Sequence, residues 1–143
     1  MVDVSQKPVS LRHARASARV AFPPKVFGAL LEKGSPKGDL LGTARLAAIQ
    51  AAKRTADLIP LCHPLPLTHV SVEFRTLPPD AIEVQCEART EARTGVEMEA
   101  LTGAAIGALT LYDMTKALDP GIVIREIRLL EKGGGKGGGG SAA

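Results

Sequence analysis

The sequence predicts an α+β fold of the ferredoxin-like (split βαβ) type, in which helices pack on one face of an antiparallel sheet. Three observations lead to this prediction. Four segments alternate apolar and polar residues, as strands do. Helix-forming segments separate the first strand from the second and the third from the fourth, and a proline-rich turn joins the middle pair. The order is strand, helices, strand, strand, helix, strand.

The first strand is predicted over residues 15–22, where small or apolar side chains alternate with polar ones. A short helix follows over residues 24–32, because Pro24 suits the first turn of a helix. Asp39 is a good N-cap for a second helix. That helix is predicted over residues 40–57, which are rich in strong helix formers.

A stiff loop and a hairpin come next. Residues 58–67 contain prolines at three positions and therefore cannot be helical. Residues 68–76 and 81–90 both alternate apolar and polar side chains, and the Pro-Pro-Asp sequence between them is typical of a turn. The two segments are predicted to form an antiparallel hairpin.

A last helix and strand complete the predicted domain. The TGVE sequence of residues 94–97 fits a capping box, which would begin a helix that runs to about Leu118. Residues 122–130 are predicted as the final strand. The sequence therefore predicts a single catalytic domain over residues 1–131 and a flexible Gly-rich tail over residues 132–143.

The open face of this sheet is expected to be apolar. The second and fourth strands carry more apolar side chains than one layer of helices needs to cover: Val70, Val72, Phe74, Ile122, Ile124 and Ile127. Assembly into a homo-oligomer would cover such a surface.

Composition narrows the class of protein. A net charge of +3 suits an anionic substrate but is too small to indicate a nucleic-acid partner. Three Phe, one Tyr and no Trp are too few for an RNA-binding sheet, which stacks bases on exposed rings. No export signal or membrane-spanning run is evident, and two cysteines fit a reducing cytoplasm. We expect a soluble cytoplasmic enzyme that acts on a phosphorylated small molecule by acid–base chemistry.

Asp113, near the end of the last predicted helix, suggests a catalytic site. It follows an apolar stretch and lies where the helix dipole disfavours a carboxylate. Lys116 shares its helical face and can hold the carboxylate ionised. A purely structural role remains the alternative, because Glu97 and Glu99 at the start of the helix and a lysine at its end suit the dipole.

Glu99 and Asp113 lie near opposite ends of this helix. Fourteen residues separate them, which corresponds to ~21 Å along the axis and ~40° around it. One small substrate cannot easily contact both from a single helix, so either the two groups serve different sites or each site is shared by two subunits. The expected apolar open face favours a shared site, with the helices of the two subunits antiparallel. Small residues would permit the close approach of the two helices: Gly103, Ala104, Gly107 and Ala108.

The proline-rich loop carries Cys62 and His63, which are a second candidate pair. Adjacent residues point apart, and no C-x-x-C or H-x-x-x-H partner is present, so a metal site is disfavoured. The flanking prolines favour a rigid loop that presents His63 and the neighbouring backbone to a ligand. The alternative is that His63 is an ordinary loop residue.

Lysines are the third candidate feature. Lys37 precedes a helix N terminus beside a glycine, where it would contact a phosphate. Lys132 and Lys136 lie among glycines and would close over a polyphosphate. The alternative is that this Gly-rich tail is only a linker, and its sequence does not match a P-loop. Lys53 and Arg54 are interpreted as the solvated side of their helix.

Several motifs together resemble one family. They are MVDVS at 1–5, KGD at 37–39, AAIQAAKRTADLIPLCHPL at 47–65, TGVEMEALT at 94–102 and LYDMTKAL at 111–118. In this order and spacing they resemble the cyclic pyranopterin monophosphate synthases, the molybdenum cofactor biosynthesis protein C family, over nearly the whole chain.

The resemblance implies a ferredoxin-like fold assembled as a homohexamer, a trimer of dimers with active sites at the dimer interface. It implies the conversion of 3',8-cyclo-7,8-dihydroguanosine 5'-triphosphate to cyclic pyranopterin monophosphate with loss of pyrophosphate. No metal or redox cofactor is implied for this step.

The resemblance also implies roles for individual residues. Asp113 would be the active-site acid or base, with Lys116 beside it and Lys37 also catalytic. Lys132 would meet the triphosphate, although this chain ends in GGGGSAA where the family usually has a longer acidic tail. The substrate pocket would be lined by Leu61, Cys62, His63, Glu97, Met98 and Glu99.

A ferredoxin-like nucleotide-sensing module is the alternative function, because domains of this fold often only bind ligands. Such a module would need neither an Asp–Lys pair in an apolar helix nor a rigid loop that carries a histidine. Turnover of the cyclised nucleotide distinguishes the two functions.

Overall fold

The structure, a computed structural model, describes residues 1–134 and 140–141. Its elements in chain order are β1 (Ser10–Ala21), α1 (Pro24–Lys33), α2 (Leu40–Lys53), α3 (Thr55–Leu58), β2 (Leu67–Leu77), β3 (Ala81–Ala92), α4 (Glu97–Thr115), β4 (Val123–Gly134) and β5 (Gly140–Ser141). The strands form one antiparallel sheet in the order β2-β3-β1-β4-β5. Its first four strands have the ferredoxin-like order, so the predicted fold class is confirmed.

Local sequence accounts for several of the element boundaries. Pro24 is the first residue of α1, as predicted. The carboxylate of Asp39 accepts a hydrogen bond from the N–H of Gly42 at 3.1 Å and caps α2. The predicted hairpin is present as β2 and β3, and β1 begins earlier than predicted, at Ser10.

Two predicted helices have different limits. The helix predicted over residues 40–57 is interrupted at Arg54, and the hydroxyl of Thr55 there donates to the carbonyls of Ala51 and Ala52 at 3.0 Å each. The predicted capping box is wrong, because α4 begins only at Glu97 and no side chain caps it. This helix ends at Thr115, three residues before the predicted end.

The last long strand continues beyond its predicted end. β4 pairs with β1 through Gly134, and Gly140–Ser141 pair with Glu131 and Lys132. The predicted start of the flexible tail is therefore corrected, because residues 132–134 belong to the sheet. Residues 135–139 and 142–143 of the predicted tail lie outside the described residues.

The helices cover one face of the sheet with small side chains. The inward residues of β1 and β3 are fully buried: Ala14, Ala16, Ala18, Val20, Val84, Cys86 and Ala88. At Gly103 of α4, a Cβ would lie 3.2 Å from the carbonyl oxygen of Ala48 and would collide with the thiol of Cys86. Glycine at this position therefore permits α4 to approach both α2 and β3.

This packing contradicts the predicted use of the small residues of α4. Ala104 and Ala108 are fully buried in the core of their own chain. A Cβ at Gly107 would contact Val84 at 2.9 Å and Ala48 at 3.3 Å. The small face of α4 is therefore occupied by α2 and the sheet and is not available to a partner helix.

The predicted apolar open face is also wrong. Val70, Val72 and Phe74 pair with the inward residues of β3, so they face the helices instead. Val72 and Ile122 are buried in the core, and Val70, Phe74 and Ile124 pack against it. Of the six predicted side chains, Ile127 is an exposed one, at 51%.

The open face is instead polar. The carboxylate of Glu83, whose residue is 4% exposed, pairs with Arg19 at 3.0 Å and with Arg75 at 3.6 Å. Burial of a carboxylate is tolerated because charged partners satisfy it. Within the described part of the chain, no helix is long and apolar enough to cross a membrane.

Candidate active site

Helix α4 carries a group of polar side chains at each end. Glu99 lies in its first turn and Asp113 in its last. Because the helix runs without interruption between them, the separation predicted for an ideal helix, ~21 Å along the axis, applies. We call the two groups the His63 cleft, at the N-terminal end, and the Asp113 cluster, at the C-terminal end.

The Asp113 cluster consists of one carboxylate held by two lysines. Lys116 Nζ lies 2.9 Å from Oδ1 of Asp113, and Lys37 Nζ lies 3.2 Å from Oδ2. Hydrogen bonds from Lys116 and then Lys37 hold the pKa of Asp113 below its ordinary value. The contact between Asp113 and Lys116 is the one expected for residues three apart on a helix, and all three side chains are about half exposed.

A tight turn delivers Lys37 to this cluster. The N–H of Gly38 donates to the carbonyl of Ser35 at 3.2 Å, and Gly38 has a φ of +107°, which favours glycine. The hydroxyl of Ser35 donates to the carbonyl of Met114 at 2.7 Å and accepts from the N–H of Lys37 at 3.0 Å. Ser35 therefore ties the turn to the end of α4, a role that the sequence reasoning missed.

The His63 cleft has a volume of about 290 Å³ and lies where the proline-rich loop meets the start of α4. Residues from the predicted pocket set line it: Leu61, Cys62, His63, Glu97, Met98 and Glu99. The remaining lining residues were not predicted as site residues: Val2, Val4, Lys7, Leu65, Thr94 and Gly95. The MVDVS and TGVEMEALT motifs, which contain four of these, were the available signal.

Burial controls protonation inside the cleft. Glu99 is 4% exposed, and burial, with a smaller contribution from the neighbouring charge of Glu97, raises its pKa. Burial and then the charge of Glu99 raise the pKa of the Cys62 thiol. Both shifts are toward the neutral form, and in its protonated form Glu99 can donate a proton.

The ring of His63 is oriented by the N-terminal backbone. Its Nε2 lies 2.7 Å from the carbonyl oxygen of Val2. A carbonyl oxygen can only accept, so Nε2 carries a proton, and the neutral ring then has its lone pair on Nδ1. That nitrogen is suited to accept a proton from a ligand.

Lys132 lies beside the cleft and not at the Asp113 cluster. Its Nζ is 3.9 Å from Oε1 of Glu97, and its side chain is exposed on β4. The predicted site residues thus fall into two groups on one chain: seven near the start of α4 and three at its end.

The chemistry of these groups is proton transfer and anion binding. Asp113 lies between two ammonium groups, and Glu97 lies 3.9 Å from the ammonium of Lys132. The imidazole of His63 contacts the carbonyl oxygen of Val2. Among residues 1–134 and 140–141, no group of three or more His, Cys, Asp or Glu side chains is placed to hold a metal ion.

Comparisons with known proteins identify the family of this chain. The sequence pattern of the MoaC family matches residues 1–135. A cyclic pyranopterin monophosphate synthase from Thermomicrobium roseum is 53% identical over 139 residues, which cover 96% of this chain and 84% of the relative. The synthase of that name from Trichodesmium erythraeum is 54% identical over 142 residues, with the same coverage of 96% and 84%. The resemblance predicted from the motifs is confirmed, and the chain belongs to the MoaC family.

Proposed function

We propose that this chain is a cyclic pyranopterin monophosphate synthase, a lyase of molybdenum cofactor biosynthesis. It converts 3',8-cyclo-7,8-dihydroguanosine 5'-triphosphate to cyclic pyranopterin monophosphate and pyrophosphate. The observation that carries the proposal is the carboxylate of Asp113 held between Lys37 and Lys116. The name shared by the two relatives supports the same reaction.

Asp113 acts as the proton-transfer group of the Asp113 cluster. Alone, the carboxylate is ionised but a weak base, since both lysines lower its pKa. A triphosphate that binds the lysines withdraws their hydrogen bonds and offsets their charge, so the pKa of Asp113 rises and its basicity increases. Substrate binding thereby activates the base.

Lys37 and Lys116 also stabilise the leaving group. Pyrophosphate develops negative charge as the cyclic phosphate closes, and preorganised ammonium groups stabilise that charge. Lys132, on β4 beside Glu97, contributes a further cation near the cleft. The cleft residues, with Glu99 as acid and His63 as base, hold the ring portion of the substrate and serve its proton transfers.

Each active site is built from two subunits of a homohexamer, a trimer of dimers, in the cytoplasm. The support for a shared site is the axial distance of ~21 Å between Glu99 and Asp113, which one nucleotide cannot bridge along a straight helix. Symmetry would bring the His63 cleft of one chain to the Asp113 cluster of another. The reaction needs no metal or nucleic acid, because its steps are proton transfers and departure of an anion.

The proposal is tested by turnover of the purified protein. The parent should release pyrophosphate and cyclic pyranopterin monophosphate in equal amounts, and Asp113→Asn should lower the rate by at least about 100-fold. The control is Asp80→Asn, in the β2–β3 turn and outside both groups, which should retain the parent rate. Binding of the nucleotide without turnover by the parent would instead support the nucleotide-sensing module.

A further inference from the structure

The first residues of the chain form one wall of the His63 cleft. We call residues 2–7 the N-terminal segment; Val2, Val4 and Lys7 from it line the cleft. The segment has a defined shape, since the carboxylate of Asp3 accepts from the N–H of Ser5 at 2.9 Å and the carbonyl of Val4 accepts from the N–H of Lys7 at 3.0 Å. These two hydrogen bonds constrain the backbone of the segment beside the cleft.

Arg93 holds this segment in place. Its Nη1 donates to the carbonyl of Lys7 at 2.7 Å and to the carbonyl of Ser5 at 3.2 Å. Arg93 directly precedes Thr94 and Gly95, which line the same cleft. One guanidinium thus joins the two walls of the cleft through charge-assisted hydrogen bonds.

The segment in turn acts on His63. The carbonyl of Val2 accepts the Nε2–H of His63 at 2.7 Å and thereby selects the tautomer whose lone pair is on Nδ1. The two ends of the segment have different attachments: Val2 to the proline-rich loop, and Ser5 and Lys7 to Arg93. Release of either attachment would loosen the other.

The charged residues that line the cleft indicate a role for Lys7 in binding an anion. Glu97 and Glu99 both line the cleft, and each opposes the entry of a polyphosphate or of any other anionic group while it is ionised. Among the described residues that line the cleft, Lys7 is the one lysine. Together with Lys132, whose Nζ lies 3.9 Å from Oε1 of Glu97, Lys7 supplies positive charge at the cleft for an anionic ligand.

We propose that the N-terminal segment is part of the substrate site, with Lys7 binding an anionic group of the substrate and Arg93 acting as the positioning residue that holds the segment against the cleft. This inference rests on the proposed function, because it assigns Lys7 to the same phosphorylated substrate. Arg93 contacts no substrate; it acts through the segment and, through Val2, on His63.

The test compares Lys7→Gln, Arg93→Ala and the control Arg89→Ala. Arg89 is an exposed arginine near the end of β3 whose guanidinium pairs with Glu87 and has no hydrogen bond to residues 2–7. Lys7→Gln and Arg93→Ala should each raise KM for the cyclised nucleotide about tenfold, the equivalent of ~1.4 kcal/mol, with Arg89→Ala unchanged. Lys7→Arg should restore the parent KM, because it retains the cation.

Two readouts follow the position of the segment directly. Arg93→Ala should speed amide hydrogen exchange in residues 1–7, and in 15N-labelled protein it should abolish the single-tautomer signature of His63. If Arg93→Ala has the same KM, the same amide exchange rates and the same His63 tautomer as the parent, the role of Arg93 is overturned. If Lys7→Gln has the KM of the parent, the role of Lys7 is overturned. Absence of turnover by the parent would instead refute the proposed function, and the exchange and NMR readouts would still decide whether Arg93 holds the segment.

Discussion

Mixing two inactive variants should restore activity if each site is shared between subunits. The variants are Asp113→Asn, which disables the C-terminal end of α4, and Glu99→Gln, which disables the N-terminal end. The two side chains are fourteen residues apart on one uninterrupted helix, so one chain presents them ~21 Å apart. A nucleotide spans about half that distance, and it therefore needs one end from each of two chains.

The size of the recovery follows from the symmetry of the dimer. In a mixed dimer, one site receives both defects and the other receives neither. Random exchange of equal amounts makes about half of the dimers mixed, and each mixed dimer has one intact site of two. The mixture should therefore recover about a quarter of the specific activity of the parent.

The two variants exchange subunits in mild denaturant and are then returned to buffer, and the assay measures their release of pyrophosphate. Native mass spectrometry counts the mixed dimers. A matched control mixes Asp113→Asn with Lys37→Ala, whose defects lie at the same end of α4. No mixed dimer of that pair has an intact site, so no recovery is expected. If mass confirms exchange and the Asp113→Asn and Glu99→Gln mixture stays inactive, the shared site is refuted.

Three further predictions concern single sites. Ser35→Ala removes the 2.7 Å hydrogen bond to the carbonyl of Met114, so Lys37 should lose its position beside Asp113. The KM for the cyclised nucleotide should then rise about 3–10-fold, and Ser35→Thr, which keeps the hydroxyl, should retain the parent KM. Glu99→Gln should raise Tm at pH 8 by about 2–4 °C for each kcal/mol of relieved burial cost, and the gain should disappear below the ordinary pKa of 4.5. Dialysis against a strong chelator should leave turnover unchanged, because Cys62 and His63 offer two adjacent ligands where a zinc site needs three or four.

Each of these predictions has an outcome that would contradict it. The sign for Glu99 follows from linkage: burial raises the folded-state pKa, so the stability contributed by the neutral group is complete below 4.5 and is lost as pH rises through the folded pKa. A calorimetric Tm of Glu99→Gln equal to or below that of the parent at pH 8 would therefore oppose the burial argument. If Ser35→Ala has the same KM as the parent, the position of Lys37 does not depend on the Ser35–Met114 hydrogen bond. If the chelator abolishes turnover and added zinc restores it, the enzyme requires a metal.

Short-range patterns predicted the elements of the fold well. Pro24, Asp39 and the prolines of the hairpin turn are local signals, and each marks the boundary that was predicted from it. The errors arose where tertiary contacts compete with such signals. The TGVE sequence fits a capping box, yet residues 94 and 95 line the His63 cleft and α4 begins only at Glu97.

The faces of the sheet could not be assigned from one strand at a time. Alternation identifies two sets of side chains in β2 but does not say which set the helices cover. Pairing with β3 places Val70, Val72 and Phe74 under the helices, which removes the apolar open face and the argument for assembly that depended on it. The small residues of α4 were misassigned for the same reason, because α2 and β3 already occupy that face.

By itself, the sequence determined the fold class, the family and the identity of the chemical groups, because motifs and periodicities are properties of neighbouring residues. The contact between Asp113 and Lys116 is one of these local features, because a helix brings together residues that are three apart. Only the tertiary structure decided which distant groups meet: Lys37 with Asp113 across 76 positions, and His63 with Val2 across 61. These contacts depend on strand register and on how closely α4 packs against α2 and the sheet, and both are set by the burial of side chains from the whole chain at once.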